Sequence, residues 1–273
     1  MWYVENNKLS HVDEEVNTKV IETISEHFFN LTISRGKKHK FLRMDKTFLA
    51  DGKISLFMKD CIKESIDLFG EEISTNISSP AKKSLQNVDE SSTRLEKKDA
   101  DIFHFIVAKL LWVAKGGRPD IDTDISFLCT RVNKSTKQKK AKLRLVFQYL
   151  KHPIDDKRNV VVYSLSQFFT WVDAAYGLHP DLKSHACGCM SFVYRIVHCK
   201  SIKKKLKIKS STEAKVVGVS DYLPYNIWIC LFTGAQGYDI KQNILFQDNQ
   251  SAINMEKNGK KLCTWNSRHI DIS

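Results

Sequence analysis

The stretch VVVYSLSQFFTWVDAAYG, residues 160–177, decides how the rest of the chain is read. Its β-branched and aromatic residues favour extended structure. One acidic residue sits inside it, Asp173, in the order Trp171-Val172-Asp173-Ala174-Ala175. A carboxylate in an apolar strand is costly unless it is paired, holds a metal or lies at the strand's end. Downstream, SFVYRIVHC (191–199) repeats the strand composition, and SIKKKLKIK (201–209) reads as a basic strand or hairpin. Over 210–232 the residues Val216, Val219, Leu223 and Ile227 fall near helical spacing. Pro224 inside that run predicts a kink or break, because it lacks the amide donor that a helix interior needs. Residues 244–247 then read as a short strand and 249–257 as a helix. Several strands, a helix, a strand and a helix make a mixed α/β sheet with helices packed on it.

Upstream, Val16, Val20, Ile24 and Phe28 recur every four residues and predict an amphipathic helix. Residues 41–57 read as two extended pieces around a turn at Ala50-Asp51-Gly52. Cys61, Ile62, Ile66 and Phe69 form one apolar helix face that stops at Gly70. Residues 71–99 are polar and Ser-rich and read as a linker. Residues 100–152 read as helical, with Phe105, Ile106, Leu110 and Val113 on a helix ending at Gly116-Gly117. The run 134–144, with Lys139 and Lys140 at its centre, is dense in positive charge. It is either a solvated helix face or a track for phosphates, and the overall charge favours the track.

The chain has 273 residues, room for two small domains with cores of their own. With 42% hydrophobic and 27% charged residues it reads as globular rather than disordered. A net charge of +12 points to a polyanionic partner, usually nucleic acid. Apolar runs are too short to span a membrane, so no membrane partner is expected. The opening MWYVENNKLS has no basic region followed by an apolar one, so the chain reads as cytoplasmic or nuclear and not secreted. Seven cysteines without a CxxC pair argue against a zinc site and fit a reducing compartment.

Asp248 follows the strand-like ILFQ and precedes a helix. That is either the carboxyl end of a strand, where α/β sheets collect ligands, or a helix N-cap. Taken together, carboxylates on a sheet edge and an adjacent helix suit hydrolysis by two Mg²⁺ ions about 4 Å apart. Hard oxygen ligands favour Mg²⁺.

Four motifs occur in order over about a hundred residues. They are Trp171-Val172-Asp173-Ala174, Ser210-Ser211-Thr212-Glu213-Ala214-Lys215, Gln247-Asp248-Asn249-Gln250-Ser251-Ala252-Ile253 and Arg268-His269-Ile270-Asp271-Ile272. This set resembles the ribonuclease H domain of copia-type retrotransposon polyproteins, as does HPDLKSH (179–185). The segment 103–150, with AKLLWVAK and RPDI, is similar to the connection between polymerase and ribonuclease H. Residues 2–70 are similar to the end of the polymerase palm. The resemblance implies an α/β (α+β) fold, a ribonuclease H-like mixed sheet flanked by helices. It implies a palm remnant at 1–70, a polar linker at 71–99, a helical connection at 100–152 and the ribonuclease H-like domain at 153–273. It further implies hydrolysis of the RNA strand of RNA–DNA hybrids. Asp173, Glu213, Asp248 and Asp271 would be the catalytic ligands of two Mg²⁺ ions. Lys203, Lys204, Lys205, Lys207, Lys209, Lys139 and Lys140 would grip the nucleic acid by its A-form shape and 2′-hydroxyls.

The sequence also departs from that family. Tyr3-Val4-Glu5-Asn6 stands where the resemblance implies Y-V-D-D, so polymerase activity is not expected. The family's helix starts S-S-T-E-A-E, and its second glutamate is the better match to the metal ligand. Here that position is Lys215. Glu213 lies about 200° away around a helix and cannot substitute without a change of register. Either Glu213 is the ligand and the set is intact, or Lys215 occupies the position and the site is impaired. Asp271 lies near the chain's end, where a terminal helix that would hold it is expected to be missing. His269 reads as a proton shuttle or as an exposed terminal histidine. The competing readings are a non-catalytic nucleic-acid-binding remnant and a pseudogene product without function.

Overall fold

The computed structural model describes residues 2–3, 6–28, 31–50, 52–73, 77–82, 85–151, 154–155, 157–160, 164–193 and 195–258. Val4 and Glu5, and the segment holding His269 and Asp271, lie outside them. The elements are β1 (Trp2–Tyr3), β2 (Asn6–Asn7), α1 (Glu14–His27), β3 (Lys38–Phe41), β4 (Met44–Phe48), β5 (Ile54–Phe57) and α2 (Lys59–Phe69). Then come α3 (Lys97–Gly116), α4 (Asp122–Cys129), α5 (Lys137–Lys151), β6 (Arg158–Val160), β7 (Gln167–Ala175) and β8 (His185–Phe192). The chain continues with β9 (Arg195–Lys203), α6 (Ser211–Ala235), β10 (Gln242–Phe246) and α7 (Gln250–Asn258). The class is mixed α/β. No described helix is long and apolar enough to cross a membrane.

Two four-stranded sheets are formed. One has the order β3-β4-β5-β6 and is antiparallel throughout. Residues 158–160, expected at the head of a domain spanning 153–273, pair instead with β5 of the upstream sheet. The other sheet has the order β10-β7-β8-β9: β7, β8 and β9 form an antiparallel meander, and β10 joins β7 in parallel. A core of Ile106, Leu110, Val113, Leu143, Phe147 and Leu150 welds α3 and α5, with Ile62 of α2 and Ile125 of α4. A second core lies between α6 and the meander.

Period-two alternation fixes β7. Phe168, Thr170, Val172 and Ala174 point inward, while Trp171, Asp173 and Ala175 are exposed. Asp173 therefore avoids the burial penalty by parity. Helix α6 starts with Ser210 as N-cap, whose side chain accepts the amide of Glu213. It then runs on through Pro224, so of the kink or break expected there the break does not occur.

Cys187 and Gly188 lie within β8, and Gly188 lets α6 approach. A Cβ at 188 would lie 2.7 Å from the Tyr222 ring. That ring is 1% exposed, and its hydroxyl donates to the Lys200 carbonyl at 2.6 Å. Gly188→Ala is expected to cost about 2–3 kcal/mol by overpacking a rigid ring against a strand. Gly234→Ala in the same helix, with nothing within 4 Å, is expected to be neutral or mildly stabilising. Urea midpoints of the two variants check this; equal midpoints would contradict it.

The described residues of 71–99 are not a free linker. Glu71 pairs with Arg144 and, at 3.2 Å, with Lys140, and Ile73 is buried in the first core. The carbonyls of Leu85 and Asn87 accept from Lys142, and the carbonyl of Thr93 accepts the Lys137 amide. The segment is strapped along α5 by its backbone, which a polar composition does not reveal.

Candidate functional site

The parallel register of β7 and β10 builds the site. Trp171 is opposite Phe246, and the same offset carries Asp173 opposite Asp248, just beyond the end of β10. The two carboxylates emerge at one end of the sheet, and the start of α6 supplies the group between them. That group is Lys215. Its Nζ donates to Asp173 Oδ1 at 2.8 Å and to Asp248 Oδ1 at 2.5 Å. Its side chain is 12% exposed, whereas those of Asp173 and Asp248 are 65% and 72% exposed.

Glu213 is not the group that meets them. Its Oε2 accepts the Lys209 amide at 2.9 Å while its own amide donates to Ser210. This reciprocal arrangement resembles a capping box, and it commits the carboxylate to starting the helix. Glu213 as a metal ligand beside Asp173 and Asp248 is thus corrected by the geometry: two residues along the helix, the lysine faces that end of the sheet.

The electrostatics follow. The Lys215 hydrogen bond holds the Asp173 carboxyl below the usual carboxylate range, against desolvation and with help from the Ala174 amide. Burial alone would push the Lys215 ammonium down; its bonds to both carboxylates outweigh that and hold it above the ordinary lysine value. The arrangement of Lys215 on Asp173 and Asp248 does not fit a magnesium ion on that pair. Among the described residues no three or more His, Cys, Asp and Glu side chains are grouped to hold a metal ion. A metal on Asp173 and Asp248 would also have to displace an ammonium already bound to both. Like unit charges about 4 Å apart repel by about 4 kcal/mol at an effective dielectric of about 20, and a divalent ion doubles that.

A cleft of about 400 Å³ opens beside the pair, walled by Trp171, Cys187, Cys189 and Phe246. Trp171 and Phe246 stack with centroids 5.3 Å apart and planes 10° apart, and both are about two-fifths exposed. Trp171 stands in a sequence motif, but neither ring has a role assigned by the sequence; their meeting depends on the β7–β10 register, which no local pattern encodes. A larger cleft of about 850 Å³ lies along the later turns of α6. Its walls, including Trp228, Phe232 and Tyr225, carry no acidic residue, so it is not the carboxylate site.

The expected basic residues divide into two groups. Lys139 is 5% exposed, with its ammonium on the Lys134 carbonyl. Lys140 pairs with Glu71 and Asp99, Lys203 with Asp181 at 2.7 Å, and the buried Lys204 with Asp221. A continuous phosphate track over 134–144 is therefore not formed. Lys205, Lys207 and Lys209 are exposed in the loop leading into α6, with no ion pair among the described residues.

No protein-family model, curated protein or solved structure matches the chain.

Proposed function

We propose that this chain is a catalytically silent ribonuclease H-like module of copia-type retrotransposon origin that binds nucleic-acid duplexes without cutting them. The observation that carries the reading is Lys215 bonded to both Asp173 and Asp248, where a two-metal nuclease needs a third carboxylate. The tethered ammonium offsets one of the pair's two negative charges, but it cannot activate a water or take up a leaving oxygen. Three features support nucleic acid as partner: the +12 charge, the unpaired loop Lys205, Lys207 and Lys209, and the exposed Trp171–Phe246 stack beside the cleft. Phosphates favour the first two, and a base or sugar face favours the third.

A labelled RNA–DNA hybrid tests this. The expected result is binding without cleavage in millimolar Mg²⁺, with affinity falling steeply as salt rises. Replacing Lys205, Lys207 and Lys209 with glutamine together should lower the slope of log K against log salt by about 2–3, since each phosphate contact contributes about 0.9. Mg²⁺-dependent cleavage that disappears in Asp173→Asn would overturn the proposal.

A further inference from the structure

The turn before α5 carries a second cluster of cations, formed by elements other than those around Asp173. Residues 134–137 read Lys-Ser-Thr-Lys, and the strand-like piece Thr93–Leu95 is hydrogen-bonded alongside. Arg94 bridges Thr136, Thr93 accepts the Lys137 amide at 2.9 Å, and Ser135 accepts the Leu95 amide at 3.2 Å. Those bonds, with Ser92 Oγ accepting the Gln138 amide, use up the first amides of α5. Any ligand here must therefore be held by side chains.

The side chains form a cleft of about 570 Å³. Lys139 lines it at 5% exposure, with a carbonyl as its ammonium's partner and no carboxylate in ion-pair reach among the described residues. A buried ammonium without a counter-ion is costly, and proteins rarely keep one unless something neutralises it. Two further donors in the same wall lack hydrogen-bond partners among the described residues: Thr136 Oγ1, on a residue 6% exposed, and Arg131 Nε. Arg94 and Lys134 stand exposed at the rim. Burial lowers the Lys139 ammonium below its usual value, and the charges of Arg131, Lys134 and Arg94 lower it further. That is the signature of a positive potential in search of an anion.

Three acids also line the cleft. Asp181 is paired with Lys203, and Asp89 accepts both the amide and the hydroxyl of Ser91. Glu90 is exposed, and with Lys203 counted the cations still outnumber the acids by five to three.

We infer that this cleft binds a phosphate group, seated against Lys139, Thr136 and Arg131 and closed over by Arg94 and Lys134. A phosphate has enough oxygens to serve several such donors at once and enough charge to neutralise the buried ammonium. The inference does not depend on the reading of Asp173, Lys215 and Asp248.

The test uses the full chain and inorganic phosphate. Phosphate should raise the melting temperature more than chloride does at equal ionic strength, because a ligand of the folded state stabilises it. Arg94→Gln, at an exposed position, should weaken phosphate binding by about tenfold, the size of one charge-assisted contact. Lys139→Met should keep or raise the basal melting temperature and abolish the phosphate shift. A merely structural lysine would lower the first and leave the second. No phosphate-specific shift in the unaltered chain, or an undiminished shift in both variants, would overturn the inference. Competition by oligonucleotides then identifies the source. Displacement by a 5′-phosphorylated strand alone supports an end phosphate, and displacement also by its 5′-hydroxyl counterpart supports a backbone phosphodiester.

Discussion

Lys215→Glu is expected to turn a cleft that ignores divalent metals into one that binds them. In the unaltered chain one ammonium serves Asp173 and Asp248. Because both carboxylates are more than half exposed, each pair contributes only about 0–1 kcal/mol. Glutamate removes both pairs and adds a third negative charge, so without metal the variant should be less stable by about 2 kcal/mol. Mn²⁺ or Mg²⁺ should reverse that loss, since a ligand at about a hundred times its dissociation constant stabilises by about 2.7 kcal/mol. Lys215→Met separates the two effects: it loses the pairs and gains no ligand, so its metal response should be weaker. Melting curves with and without Mn²⁺ read all three proteins. A glutamate variant that melts alike in both conditions would show that Lys215 does not occupy a ligand position.

The second large effect is acid instability, set by two buried histidines against one buried aspartate. Arg131 has only donors, so its contact at 2.9 Å makes His179 Nδ1 an acceptor. His179 Nε2 then donates to His185 Nδ1 at 3.0 Å, and His185 Nε2 donates to Ser201 Oγ at 2.7 Å. This order of donors requires both rings to be neutral. His179 is 1% exposed and His185 6%. Burial, then the neighbouring His185, Lys203 and Arg131, push His179 from 6.5 down to about 3, with Asp181 opposing. Burial, Lys204 and Lys203 push His185 down to about 4. Below pH 6.5 the unfolded chain takes up protons that the folded chain refuses, so stability present at neutral pH is lost as pH falls.

Asp124 works in the opposite direction. It is 4% exposed, with Oδ1 unpartnered among the described residues, and burial raises it from 3.8 to about 6. Its contribution is largest at low pH and is lost as pH rises through about 6. Each group contributes a slope of about 1.4 kcal/mol per pH unit inside its window. Two histidines outweigh one aspartate, so stability should fall by about 2–3 kcal/mol between pH 6 and pH 4. Asp124→Asn should gain on the order of 2 kcal/mol at pH 7 and steepen the acid loss. His185→Gln should flatten it. Urea midpoints across this range check the balance; a midpoint that rises on acidification in the unaltered chain would contradict it.

Much of the second sheet is legible in the residues themselves. The period-two pattern of 167–175 sets which side chains face α6, and strand-then-helix punctuation places Asp248 at a strand end. The role of Glu213 is also written locally, in Ser210 followed by Glu213 three residues on. Read as a helix start, that spacing assigns the glutamate to the cap and leaves Lys215 to face the sheet. Other features depend on distant partners. The Trp171–Phe246 stack needs the β7–β10 register. The burial of Lys139 needs residues 85–95 to fold back onto α5 by backbone bonds, which carry no apolar signal. The stripe on α1 is a different failure: Val16 and Val20 remain more than a third exposed, and among the described residues nothing on that helix is buried.

A lysine holds the place that a metal ion would need between Asp173 and Asp248. Titrating Mn²⁺ into the unaltered protein, with free ion followed by electron paramagnetic resonance, tests it most directly. The predicted result is no stoichiometric Mn²⁺ binding attributable to Asp173 or Asp248. Tight binding of one or more ions that is lost in Asp173→Asn would contradict it.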